Sequence, residues 1–337
     1  MVPAIAVADA LRAEGAEVSF VGGQRAEAEL VPAAGYPLDT IAVEGISRTN
    51  PVKALRAAGK AALALRAAGR ILHDRRAGAV LGGGGYVAGP VGLAAVLRRV
   101  PLVLTEADSH LGLSNRLLAP RARCVCLAFP IEGRSGERYV VTGRPVPPRM
   151  AEREPARAAL GIGADERCVL VFGGSLGARS INEAAVAAFA DAPYRVLHVA
   201  GRRDFADLDA PGPHYELRDY MTPFGRALAA ADMAVARAGG SIFELAQYGL
   251  PALLVPYPHA TGDHQTANAR WMERGGAAKV LSDAELTPER LRAEVDGIVL
   301  DPARLAAMAA ASARLARPHA ARDVAEAVLA AAGPSAD

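Results

Sequence analysis

Residues 168–180 read Cys-Val-Leu-Val-Phe-Gly-Gly-Ser-Leu-Gly-Ala-Arg-Ser, a β-branched run that breaks into glycines and resumes as a helix pattern. Glycines let backbone N–H groups approach an anion closely, and the first turn of a helix adds unpaired N–H groups and a partial positive charge. A diphosphate fits that chemistry, which makes Gly174, Ser175, Gly177 and Arg179 candidate binding residues. Any tight strand-to-helix turn also favours glycine. The stretch lacks both the Gly-Lys-Ser/Thr of a P-loop and the full dinucleotide fingerprint.

A second stretch, Ala236-Arg237-Ala238-Gly239-Gly240-Ser241-Ile242-Phe243-Glu244, repeats the order of strand, glycines and helix. Gly239, Gly240 and Glu244 are its candidates. Ser241 and Glu244 also have capping-box spacing, so Glu244 either closes the helix start or faces a ligand. In a third stretch, Pro256-Tyr257-Pro258-His259 leads to Gly262-Asp263-His264-Gln265-Thr266-Ala267-Asn268, where Asp, His and Gln supply the donors and acceptors that sugar hydroxyls need. A fourth, Gly82-Gly83-Gly84-Gly85-Tyr86-Val87-Ala88-Gly89-Pro90, follows an apolar run. Four consecutive glycines cost unfolded-chain entropy, which favours a close backbone approach to a ligand, a second anion site, over an ordinary turn.

Metal chemistry has little to stand on. Asp207-x-Asp209 lies in a loop beside Pro211 and Gly212, so no metal is expected. Cys124, Cys126 and Cys168 make neither a disulfide framework nor the two ligand pairs of a structural zinc site. They read as small buried hydrophobes.

The elements that must position these residues alternate short β-branched runs with alanine- and leucine-rich helical patterns, the signature of parallel α/β layers. Strands are expected at residues 17–21, 40–43, 79–81, 102–105, 124–127 and 139–142, then at 168–172, 195–199, 233–236, 252–255 and 277–281. Between the two sets, Thr142-Gly143-Arg144-Pro145-Val146-Pro147-Pro148-Arg149 breaks both helix and strand. At 337 residues the chain has room for two domains. The expected division is 1–145, 146–317 and a C-terminal helix over 318–337. Two doubly wound Rossmann-like domains facing a central cleft bind ligands where strand C-termini meet helix N-termini.

Composition narrows the class. Hydrophobic residues make up 51% but aromatics only 5%, which fits alanine-rich helices packed closely on sheets, and no apolar run is long enough to cross a bilayer. Met1-Val2-Pro3-Ala4 has no basic leader, which points to the cytoplasm. The net charge of +2 hides an asymmetry: residues 1–150 hold 19 Lys/Arg against 12 Asp/Glu. Much of the excess falls in residues 48–76, where Arg48, Lys53, Arg56, Lys60, Arg66, Arg70, Arg75 and Arg76 are opposed only by Asp74. Such a basic helix is a solvated face or a docking surface for anionic lipid; no nucleic-acid partner is expected.

The four stretches, in this order, resemble the MurG family, the transferases that add N-acetylglucosamine to the undecaprenyl-diphosphate muramyl-pentapeptide precursor of peptidoglycan. The likeness extends to Leu30-Val31-Pro32, Gly35-Tyr36-Pro37-Leu38, Gly112-Leu113-Ser114-Asn115-Arg116-Leu117-Leu118 and Asp301-Pro302. It implies a GT-B fold and an inverting, cofactor-free transfer from UDP-N-acetylglucosamine by a peripheral protein at the cytoplasmic face of the cell membrane. By the same resemblance the Ser175 loop holds the UDP diphosphate, Glu244 the ribose hydroxyls, and His264 and Gln265 the transferred sugar. Gly84, Gly85, Tyr86 and Asn115 face the lipid-linked acceptor, and the helix after about Pro318 returns to the first domain.

Three departures stand out. The family opens with a strand and a glycine-rich loop ending in a histidine, the usual candidate base, and this chain aligns just after it; a native start upstream of Met1 is therefore expected. The family's His-Glu-Gln-Asn reads Thr105-Glu106-Ala107-Asp108, and an arginine expected after Pro145-Val146 is Pro147. The remaining base candidates are Glu106, Asp108 and His110. Alternative readings are another membrane-lipid glycosyltransferase, a UDP-sugar epimerase, or a UDP-sugar-binding module without turnover.

Overall fold

The prolines between Pro145 and Pro148 fall where the chain leaves one compact unit and enters another: Met1–Val146 with Pro318–Asp337 forms the first, Pro147–Arg317 the second. A computed structural model describes residues 1–42, 51–149, 151–174 and 177–333.

In the first unit the order is α1 (Val2–Ala13), β1 (Phe20–Gly22), α2 (Ala26–Ala33), β2 (Leu38–Thr40), α3 (Pro51–Asp74), β3 (Val80–Gly82), α4 (Gly85–Leu97), β4 (Leu102–Glu106), α5 (Leu113–Leu118), β5 (Cys124–Leu127) and β6 (Tyr139–Val141). All pairing is parallel, in two pieces: β1 with β2, and β3-β4-β5-β6. One face of the larger piece packs on α3 and α4 through Ala64, Ala68, Leu72, Val91, Ala94 and Leu104. The other receives α1 and the last helix, through Val7, Leu11, Val103, Cys126, Val324 and Val328. The cysteines thus serve as small strand residues, with Cys126 1% exposed.

The second unit holds α6 (Arg153–Ala159), β7 (Cys168–Phe172), α7 (Arg179–Ala188), β8 (Arg195–Val199), β9 (Tyr215–Arg218), α8 (Gly225–Ala230), β10 (Met233–Ala236), α9 (Ile242–Gln247), β11 (Ala252–Leu254), α10 (His264–Arg274), β12 (Ala278–Val280), α11 (Pro288–Val299) and α12 (Pro302–Leu315); α13 (Ala320–Ala332) then rejoins the first unit. Its sheet is continuous and parallel, in the order β12-β11-β10-β7-β8-β9. Every residue of β7, β10 and β11 is buried, as expected for strands covered on both faces, which is why they read as unbroken apolar runs. The helices after them start on local signals. Thr287 accepts a hydrogen bond from the Arg290 N–H, Asp301 accepts from Ala303 and Arg304, and a proline follows each cap.

Two differences from the sequence reading have plain causes. Strand β9, Tyr-Glu-Leu-Arg, was not expected; it is an edge strand with only Tyr215 fully buried, so its pattern carries no apolar run. The first strand starts at Phe20 rather than Glu17, because Glu17 to Ser19 form no ladder.

Candidate active site

In the second unit the chain begins at β7, adds β8 and β9 on one side, then returns to add β10, β11 and β12 on the other. Strand order reverses between β7 and β10, and a parallel sheet binds ligands outside the C-terminal ends of its strands at such a switch point. The loops after β7 and β10 flank it. Gly174 and Gly177 lie in the first; Gly239, Gly240 and Glu244 follow β10; His264 and Gln265 open α10, after β11. Ser175 lies outside the described residues.

Gly177 shows why that loop needs glycine. Its φ is +76°, and a Cβ there would stand 2.3 Å from the Ala200 carbonyl oxygen. Gln265 joins two of the loops: its Oε1 accepts a hydrogen bond from the Tyr257 N–H at 2.9 Å, while its Nε2 lies over Gly239. Ser241 makes no side-chain capping bond at the start of α9, so its half of the capping box is not formed. Asn268, 3% exposed, donates to the Ala238 carbonyl at 3.0 Å and leaves its Oδ1 without a partner among the described residues, beside the Gly239–Gly240 turn. Sequence reasoning included Asn268 in the motif but gave it no role; a buried amide with one open acceptor marks it.

Arg179, its side chain 60% exposed, pairs with Asp207 at 3.1 Å and with Asp204 at 3.7 Å. The Asp207 carboxylate is committed to the same pair. Behind the loop lies a buried network that sequence reasoning missed. His198, 0% exposed, bonds through Nδ1 to the Tyr215 hydroxyl at 2.7 Å and through Nε2 to Asn182 Oδ1 at 3.0 Å. Asn182 donates to the Ala200 carbonyl and to Asp204, the residues against which Gly177 packs. Burial lowers the His198 pKa from 6.5 to about 4, so the ring is neutral and Nε2–H donates while Nδ1 accepts. The Arg203 guanidinium holds the Asp204 carboxyl below the usual carboxylate range.

In the first unit the candidates gather at the C-terminal ends of β3 and β4. Gly84 and Gly85 have φ of +76° and +79°, which L side chains adopt rarely, and Gly84 caps α4 without a side-chain bond. Tyr86, in the first turn of α4, carries the Arg25 guanidinium over its ring at 4.9 Å. Asn115 is 1% exposed and packs by Gly84; its Nδ2 donates to the Thr105 carbonyl and to Glu106, both at 2.9 Å, and its Oδ1 has no partner among the described residues.

The Glu106 carboxylate accepts from the backbone N–H groups of Ala107, Asp108 and Gly112 and from Asn115 Nδ2, at 2.8–3.2 Å. Four donors occupy its lone pairs and tie it to the 107–115 loop. The half-buried Asp108 carboxylate has no partner among the described residues, and His110 is exposed. In the basic segment Ile71 and Leu72 pack into the core, whereas Leu63 is 67% exposed near the exposed Arg66 and Arg70. Arg48 lies outside the described residues.

Two parallel Rossmann-like units, one with a glycine loop at its switch point, make up the GT-B fold. The chain belongs to glycosyltransferase family 28: residues 1–127 match that family's N-terminal domain and residues 168–326 its C-terminal domain. Two relatives are each called UDP-N-acetylglucosamine--N-acetylmuramyl-(pentapeptide) pyrophosphoryl-undecaprenol N-acetylglucosamine transferase. The one from Nitrosococcus oceani is 41% identical over 339 residues, and that from Moorella thermoacetica 39% over 351; in each case 97% of this chain and 94% of the relative are covered. Among solved structures, Acinetobacter baumannii MurG superposes with a TM-score of 0.79 at 30% identity, covering 97% of this chain and 94% of that one.

Proposed function

We propose that the chain transfers N-acetylglucosamine from UDP-N-acetylglucosamine to a muramyl-pentapeptide carried on undecaprenyl diphosphate, with inversion at the anomeric carbon. The observation that carries this reading is the 41% identity to a transferase of that name across 97% of the chain. The glycine loop at the β7/β10 switch point gives it a physical basis. The acceptor hydroxyl attacks the anomeric carbon in line with the departing UDP and gives up its proton, while negative charge grows on the diphosphate. Backbone N–H groups beyond β7 and the first turn of α7 stabilise that charge without reorganising. Glu244 receives the ribose hydroxyls, and His264, Gln265 and Asn268 the sugar.

On the acceptor side, Gly84, Gly85 and the uncapped start of α4 form an anion site for the lipid diphosphate, with Tyr86 and Asn115 beside it. Asp108 is the base, since its carboxylate is open and that of Glu106 is filled.

The chain acts as a peripheral protein on the cytoplasmic face of the membrane. Among the described residues no helix is long and apolar enough to cross a bilayer. Leu63 on α3, Leu93 and Leu97 on α4, and Leu113 and Leu117 on α5 are exposed, and Arg66, Arg70, Arg98, Arg99 and Arg116 are exposed on or beside the same helices. Each basic side chain near an anionic surface contributes about 1 kcal/mol, so a few suffice for reversible attachment.

Transfer of radiolabelled sugar from UDP-N-acetylglucosamine to a detergent-solubilised muramyl-pentapeptide lipid tests the reading. Labelled lipid product with inverted stereochemistry is expected. Transfer only to a diacylglycerol acceptor, or UDP-sugar binding without turnover, would overturn it.

A further inference from the structure

Arg237 follows β10 directly and is 9% exposed. Its guanidinium reaches three separate segments. Nη1 donates to the carbonyl oxygens of Val255 and Pro256, both at 3.1 Å, just past β11, and to the Asp283 carboxylate. Nη2 donates to Ser180 Oγ at 2.8 Å, in the first turn of α7. Ser180 donates in turn to Asp283 Oδ1 at 2.8 Å, which closes a ring of three side chains, and the Tyr257 ring lies 5.5 Å from the guanidinium carbon.

Arg237 and two of the segments it joins, those of Ser180 and of Val255 and Pro256, each lead into one loop of the donor side, while Asp283 closes the ring. Ser180 stands three residues past Gly177, whose close fit against Ala200 sets the glycine turn. Val255 and Pro256 lead to Tyr257, whose N–H is bonded to Gln265. Arg237 itself precedes Ala238, whose carbonyl is held by Asn268. A buried cation is unfavourable unless paired and hydrogen-bonded, and this one is satisfied only while all three segments hold their places. The planar fork of arginine spans these acceptors at once; the single ammonium of lysine does not.

We propose that Arg237, with Asp283 and Ser180, is a positioning residue for the nucleotide-sugar donor: it touches no reacting atom and fixes the three loops that do. The proposal rests on the donor lying at the β7/β10 switch point. Backbone donors bind a diphosphate tightly only where their positions are set before it arrives, and this ring sets them.

The test uses the full chain with Arg237→Lys, Ser180→Ala and the double variant. It reads kcat, the KM for UDP-N-acetylglucosamine and for the lipid acceptor, UDP affinity by calorimetry, and the melting temperature. Arg237→Lys should raise the donor KM and the UDP Kd about tenfold, the scale of a lost charge-assisted hydrogen bond, with kcat within about threefold and the acceptor KM unchanged. Ser180→Ala should shift the same two quantities about threefold, and the double variant should fall short of the product of the single effects, because the residues share one ring. A lower melting temperature with unchanged donor KM and UDP Kd would overturn the proposal, as would a fall in kcat alone. Should Arg237→Lys fail to fold, Ser180→Ala decides between these outcomes. Absence of UDP binding by the unmodified chain would instead remove the donor reading itself.

Discussion

The two units use the same layers and treat their polar groups differently. Around the loops of the second unit the charged side chains are spoken for: Arg237 by Asp283, Arg179 by Asp204 and Asp207, and Arg203 by Asp204, with neutral His198 and Asn182 underneath. Its sheet is a single parallel ladder of six strands. In the first unit the ladder is in two pieces, left-handed Gly84 and Gly85 stand at the start of α4, and the Asp108 carboxylate and Asn115 Oδ1 have no partner among the described residues. On the proposed reading the donor side is thus a rigid receptor, with Asn268 Oδ1 left open beside the Gly239–Gly240 turn, and the acceptor side keeps the open carboxylate of Asp108. A leaving diphosphate needs fixed dipoles, and an incoming hydroxyl needs a base with lone pairs to spare.

The contrast is broken most sharply at Asp108. Asp108→Asn should lower kcat by roughly 10²–10⁴-fold, the usual range for a general base, with the KM for UDP-N-acetylglucosamine unchanged. Steady-state kinetics with both substrates varied gives the answer, and an unaltered kcat would move the proton elsewhere. Next in size is the pH dependence of the second unit. His198 has its pKa lowered from 6.5 to about 4, so between those values the unfolded chain binds a proton that the native fold refuses. Stability is therefore fully present above pH 6.5 and lost as pH falls towards 4, by on the order of 3 kcal/mol. Trp271, the chain's single tryptophan, sits in this unit, so urea midpoints read by its fluorescence should fall between pH 7 and 4.5, and His198→Gln should flatten that change.

A smaller effect sharpens the donor side. Glu244→Ala should weaken UDP-sugar binding by about 1–3 kcal/mol, the cost of removing a charged hydrogen-bond partner. Unchanged calorimetric affinity with a lower melting temperature would make Glu244 a helix-start residue instead. The smallest concerns the surface. Replacing Leu63 and Leu97 by serine should reduce co-sedimentation with vesicles containing anionic lipid about tenfold or less, with calorimetric affinity for UDP unchanged. Binding indifferent to both salt and these substitutions would refute the membrane-docking face.

Much of the fold was legible because strands buried on both faces leave an unmistakable trace: the limits expected for β5, β7, β8 and β10 coincide with those observed. β9, Tyr-Glu-Leu-Arg, has no apolar run, so it was missed. The prolines of 142–149 lie across the boundary between the units at Val146 and Pro147. In the site, the glycine turns and the Asp-His-Gln stretch could be read because backbone conformation limits residue type. Roles set by partners far away in sequence could not. Whether Arg179 meets a phosphate or Asp207, and whether Glu106 is open or filled by Gly112 and Asn115, depends on contacts that local spacing does not encode. Arg237 was quoted within its motif, yet its role needed Ser180 and Asp283, 57 and 46 residues away.

The claim that the donor belongs to the second unit and the open catalytic groups to the first is tested most directly by hydrogen–deuterium exchange of the full chain with and without UDP-N-acetylglucosamine. Protection is predicted at residues 173–182, 237–245 and 256–268, with residues 83–90 and 105–115 unchanged until the lipid acceptor is added. Donor-induced protection confined to 83–90 or 105–115 would contradict it.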